Sequence, residues 1–134
     1  MYKTAKGYLG VSEITMTVKS GVNESYIEKD LEIKFIDGSL KIEPDFMRGV
    51  VHLSGRMTSE KAASAVGHLV YQRADLRKAS PSWETVAKQD FEVRMRGSGS
   101  TGESTFSFDD KTAEAGVPYK YRVRFYYRAY NELN

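Results

Sequence analysis

The sequence contains no cysteine, so disulfides, thiolate metal sites and a thiol nucleophile are excluded at the outset. Histidine is nearly as scarce. His52 and His68 lie on different candidate strands with no carboxylate cluster beside either, so neither is expected to ligate a metal. No apolar run approaches the roughly 18 residues that a membrane-crossing helix needs, and no membrane span is expected. Residues 1–6 lead into an alternating segment rather than an apolar signal core, so the chain is expected to be made in the cytoplasm without a signal peptide. Charge of a single sign is missing too. The net charge is +2, which argues against a nucleic-acid partner held by bulk electrostatics.

The usual catalytic signatures are absent as well. There is no G-x-S-x-G elbow. The glycine-rich stretch Gly97–Gly102 is followed by no Lys-Ser/Thr pair and no helix start, so it reads as a mobile hairpin tip rather than a phosphate cradle. Asp109 and Asp110 are paired in sequence, but adjacent strand residues point to opposite faces and cannot share one proton. Turn capping explains them better. The expectation is a chain that is not an enzyme and needs no cofactor.

What the sequence has in abundance is alternation. Its 134 residues, 40% of them hydrophobic, suit one folded domain. Period-two patterning runs through Ile14–Lys19, Leu31–Phe35, Val50–Ser54, His68–Arg73, Trp83–Ala87, Phe91–Arg96, Thr105–Phe108 and Tyr119–Tyr127. Asp37-Gly38 between two alternating runs predicts a hairpin over 30–42. The alanine-rich stretch 58–66, with Thr58 or Ser59 as N-cap and Gly67 as terminator, predicts one short helical segment. Ala79-Ser80-Pro81-Ser82 marks a turn. Strands this short and this frequent predict an all-β fold, a sandwich or barrel, with residues 1–30 as a candidate N-terminal arm or added hairpin.

The second half carries a more specific pattern. Leu69-Val70-Tyr71-Gln72-Arg73, Trp83-Glu84-Thr85-Val86-Ala87, Phe108-Asp109-Asp110-Lys111-Thr112 and Ala115-Gly116-Val117-Pro118-Tyr119-Lys120-Tyr121-Arg122-Val123 resemble the later strands of a fibronectin type III-like module of the bacterial or phage type. The resemblance spans about residues 68–128 and implies an immunoglobulin-like β-sandwich. It also implies structural roles for Trp83, Tyr119 and Tyr121. Trp83 would lie in or near the core, and Tyr119 would form a corner in which its hydroxyl bonds back to the backbone. Modules of this style occur as structural appendages, so the resemblance further implies a virion component (tail, baseplate or head appendage) or a bacterial surface assembly. Its partners would be other structural proteins or further copies of itself.

One functional feature stands out from the residues themselves. Seven of the nine arginines fall in residues 68–134. If Tyr119, Tyr121, Val123, Phe125 and Tyr127 face the core, then Lys120, Arg122, Arg124, Tyr126 and Arg128 face outward. By the same alternation Arg94 and Arg96 face outward from their own strand. Arginine interleaved with tyrosine suits phosphate, acidic glycan or stacked rings. Arg94, Arg96, Arg122, Arg124, Tyr126 and Arg128 are therefore candidate binding residues for a glycan or polyanion. The competing reading is a solvated strand face whose arginines meet neighbouring glutamates.

Overall fold

The computed structural model describes residues 7–19, 25–27, 33–36, 38–45, 47–59, 64–94, 102–114 and 116–131. They form nine strands: β1 (Gly7–Lys19), β2 (Ser25–Ile27), β3 (Ile33–Phe35), β4 (Lys41–Asp45), β5 (Val50–Ser59), β6 (Ser64–Asp75), β7 (Glu84–Val93), β8 (Gly102–Asp110) and β9 (Tyr119–Asn131). The chain is all-β, every pairing is antiparallel, and no described residue is helical. One sheet has the order β2-β1-β9-β6-β7. In the second, β5 pairs with β8 along one side and with β3 and β4, end to end, along the other.

Alternation decides which side chains meet between the sheets. Ile14 and Met16 of β1, Leu69 and Tyr71 of β6, and Val123 and Phe125 of β9 are fully buried with Phe35, Leu53 and Met57 of the second sheet, and Phe106 joins the same cluster. Each such side chain contributes about 1.5–3 kcal/mol by leaving water. Aromatic rings lock the two sheets in place. Phe106 meets Phe35 edge-on at 5.8 Å and Phe91 at 6.1 Å, and Phe108 stacks on Tyr71 at 4.7 Å. Gly67 is required where β6 passes β9, because a Cβ there would stand 1.9 Å from the Tyr126 carbonyl oxygen.

Three sequence expectations need correction. The helical segment at 58–66 is strand at both ends. Thr58 and Ser59 finish β5, Ser64–Val66 begin β6, and 60–63 lie outside the described residues. A helix of two turns is marginal by itself, and here Ala65 and Ser59 gain full burial inside a ladder. Nor is 30–42 a hairpin, since β3 and β4 both pair with β5 and not with each other. Gly38, at φ 73°, sits in a tight turn closed by Ser39 N–H on the Ile36 carbonyl. That turn is a kink within one strand line. The Ser39 hydroxyl accepts from Arg56 N–H at 3.1 Å and donates to the Arg56 carbonyl, replacing the interrupted ladder.

The third correction is Trp83, which is half-buried outside the core cluster. A bulge explains it. Tyr71 pairs with Ala87 and Gln72 with Thr85, leaving Val86 as an extra residue in β7. One extra residue reverses which face the flanking side chains take, so Trp83 moves from the face of Ala87 to the outer face. At the N-terminal end, β1 pairs with β9 from Gly7 to Lys19 and supplies Ile14, Met16 and Val18 to the core. Residues 7–19 are thus integral to the sheet and fill the edge beside β9.

Candidate interaction face

β9 lies between β1 and β6, so its outward residues run down the middle of the five-stranded sheet. Tyr119, Tyr121, Val123, Phe125 and Tyr127 are buried, and Lys120, Arg122, Arg124, Tyr126 and Arg128 point away from the core. Register then assigns their neighbours. Gln72 stands opposite Arg122, Val70 opposite Arg124, His68 opposite Tyr126 and Val66 opposite Arg128, while Glu13 flanks Tyr126 from β1.

Rings and cations on this face are layered. The Arg122 guanidinium lies 4.2 Å from the centre of the Trp83 ring, and the Lys120 ammonium lies 5.0 Å from it. Arg122 Nε donates to Gln72 Oε1 at 2.6 Å. Arg124 lies over the Tyr126 ring at 5.2 Å, and Tyr126 stacks on His68 at 5.4 Å. Stacking of this kind holds long cationic side chains flat against the sheet and contributes about 0.5–1 kcal/mol per exposed contact.

Carboxylates meet arginines here as well. Arg124 donates to Glu13 Oε1 through Nε at 2.7 Å and through Nη2. Arg94 Nε donates to Glu92 Oε1 at 2.9 Å. Arg94 directly follows β7, with β6 between that strand and the β9 row. Arg128 is exposed on the same face, and Arg96 lies outside the described residues. The structure thus brings Arg122, Arg124, Tyr126 and Arg128 together and leaves Arg94 apart. Sequence reasoning placed Lys120 on this face and missed His68, Gln72, Glu13 and Trp83 as its members. The bulge at Val86 hid Trp83, and the others needed the strand order.

Other groups with chemical potential are committed within the fold. Asp110, 1% exposed, accepts from Arg73 Nη1 at 2.7 Å, the Tyr121 hydroxyl at 2.9 Å, Thr112 N–H at 3.0 Å and the Thr112 hydroxyl at 2.7 Å. Burial pushes its carboxyl up, but hydrogen bonds from Thr112, Tyr121 and Arg73 outweigh burial and hold it below the usual carboxylate range. Arg73 is held in turn by Glu84 and the Tyr119 ring. The Tyr119 hydroxyl accepts from Glu114 N–H at 3.2 Å, five residues upstream, which is the geometry of a tyrosine corner. Asp109 points the other way, to His52. An open apolar pocket of about 460 Å³ lies where Ile42, Val51, Val117 and Pro118 meet Tyr119 and Tyr121, whose hydroxyls already have the partners named above. Among the described residues no group of three or more His, Asp or Glu could hold a metal ion.

No protein-family model and no curated protein matches this sequence. Among solved structures, envelope protein VP37 from White Spot Syndrome Virus aligns with a TM-score of 0.47 and 11% identity, over 89% of this chain and 95% of that one.

Proposed function

We propose that this chain is a non-enzymatic structural and interaction module of a virion or cell-surface assembly, and that it docks through the outer face of the five-stranded sheet. The contrast between the two outer faces carries the reading. The four-stranded side presents Lys41, Glu43, His52, Ser54, Arg56, Thr58, Thr105, Ser107 and Asp109, a solvated polar surface. The five-stranded side presents Trp83 against Lys120 and Arg122, then Arg124 against Tyr126 and His68. Trp, Tyr and Arg are the residues on which protein interfaces concentrate their binding energy. The glycan or polyanion reading has less support, because Arg94 and Arg124 already face Glu92 and Glu13.

The fold that goes with this proposal is an immunoglobulin-like sandwich. Its support is two antiparallel sheets sharing one core, together with the Tyr119 corner. The position of Trp83 outside the core departs from the fibronectin type III pattern. Hydroxyl-radical footprinting of the isolated chain and of the intact source assembly tests the docking face. Protection should concentrate on Trp83 and Tyr126 and leave the four-stranded face unchanged. Equal labelling of Trp83 in both states would remove the proposal.

A further inference from the structure

We infer that the free edge of β8 is a strand-addition site for an extended, basic segment of another chain. The two sheets have four edges, and three of them are guarded against adding a strand. β2 is only three residues long and covers β1 at Met16–Val18, and the rest of that edge, on β1, carries the register shift between Tyr8 and Gly10 and the charged Glu13. β7 carries the bulge at Val86 and the charged side chains Glu84, Lys88, Asp90 and Glu92. The β3–β4 line is broken at 36–40 and includes Lys34, Lys41 and Pro44. Short length, bulges, lysine and proline are the devices that keep a sheet edge from pairing.

β8 has none of them. Nine residues, Gly102–Asp110, pair with β5 in one unbroken register, and the sequence GESTFSFDD contains no proline and no lysine. Among the described residues its other edge pairs with nothing. About half of its backbone N–H and C=O groups therefore point outward along roughly 30 Å.

The neighbouring sheet leaves room for the missing strand. β8 lies above β6, through the Tyr71–Phe108 stack and the Arg73–Asp110 ion pair, and β7 lies one strand further out. A strand added to β8 would cover the inward side of β7, where Ala87 and Phe91 are half-buried and Gln89 is exposed, and would complete the burial of Phe108.

Charge selects the occupant. Glu103 and Asp109 stand six residues apart on the outward face of β8, which carries no basic residue. Arg56 and His52 meet them from the β5 side, and among the described residues no cation meets them from the open side. A second copy of β8 laid antiparallel in full overlap would set Glu103 against Asp109, and like charges directly opposite destabilise a strand pair. The fitting segment has Lys or Arg at positions i and i+6, with apolar residues at alternate positions between them.

A seven-residue capped peptide tests this, with lysine at positions 1 and 7, valine at 2, 4 and 6, threonine at 3 and serine at 5. Amide hydrogen exchange of the whole chain is followed by NMR. The peptide should slow exchange at alternate amides of β8 and leave those of β7 unchanged. Glutamate in place of both lysines should weaken binding about tenfold. The double variant Glu103→Lys/Asp109→Lys, at two exposed positions, should reverse that preference. No β8 protection at millimolar peptide, equal binding of both peptides, or β8 protection that rises with protein concentration alone would each overturn the inference.

Discussion

Replacing Asp110 with alanine should be among the most damaging single changes on the polar side of this fold. Its carboxylate is 1% exposed and accepts four hydrogen bonds, from Arg73, Tyr121 and twice from Thr112. Truncation leaves the hydroxyl of Tyr121, a residue only 1% exposed, without its acceptor, at a cost of about 1–3 kcal/mol. It also strips one of two counter-ions from Arg73, whose side chain is 11% exposed and keeps only Glu84. Breaking a buried pair from one side costs about 3–5 kcal/mol. Because the Tyr121 and Arg73 losses overlap in one network, the expected total is about 3–5 kcal/mol rather than their sum. That is a large share of the 5–15 kcal/mol typical of a whole domain.

Urea denaturation at pH 7 measures it. The companion variant Arg73→Leu/Asp110→Leu/Tyr121→Phe replaces the whole network with apolar groups and should recover most of the loss. The pH dependence follows from the same contacts. The folded carboxyl lies below its ordinary value, so Asp110 contributes full stability above the unfolded value of about 3.9. That contribution is lost as pH falls through the lower folded value. Wild type should therefore lose stability below about pH 4 more steeply than Asp110→Asn. A cost under about 1 kcal/mol for Asp110→Ala, or identical acid limbs for wild type and Asp110→Asn, would refute the reasoning.

Two further outcomes are expected. Gly67→Ala should cost about 3 kcal/mol or more, since its Cβ would meet main-chain atoms of Tyr126 and Tyr127 that cannot turn aside; a neutral thermal melt would show that β6 and β9 can separate there. Trp83→Ala should cost about 1–2 kcal/mol, against about 3–5 kcal/mol for Phe125→Ala in the same titration, because Trp83 lies on the outer face and Phe125 is fully buried; equal costs would return Trp83 to the core.

The class of fold and the two faces of β9 were legible because both depend only on period-two alternation. Tyr119 through Tyr127 is long enough that no one-residue slip goes unnoticed, and its inward set is the buried set. The errors share a different cause. Asp37-Gly38 has the chemistry of a hairpin turn and also of a kink within a strand. The choice went to the kink because β5 is long enough to pair with both β3 and β4. Residues 58–66 have a helical composition, but Ala65 is buried in a ladder between residues 28 and 64 positions further on, Val93 and Ala129.

The candidate face was half legible for the same reason. Which residues point outward from β9 is local information, and alternation supplied it. What each outward residue meets is set by strand order. Glu13 and Arg124 are 111 positions apart, and Gln72 and Arg122 are 50 apart. Each half of the chain holds nine acids, so some arginines were bound to find carboxylates, but only the β1-β9-β6 order assigns Glu13 to Arg124 and an uncharged amide to Arg122. That assignment changes the chemistry of the face. Arg124 is matched to a carboxylate, while Arg122 and Lys120 lie against an indole ring. A surface of this kind suits a partner that brings its own rings and acceptors better than a polyanion, whose attraction depends on unmatched charge.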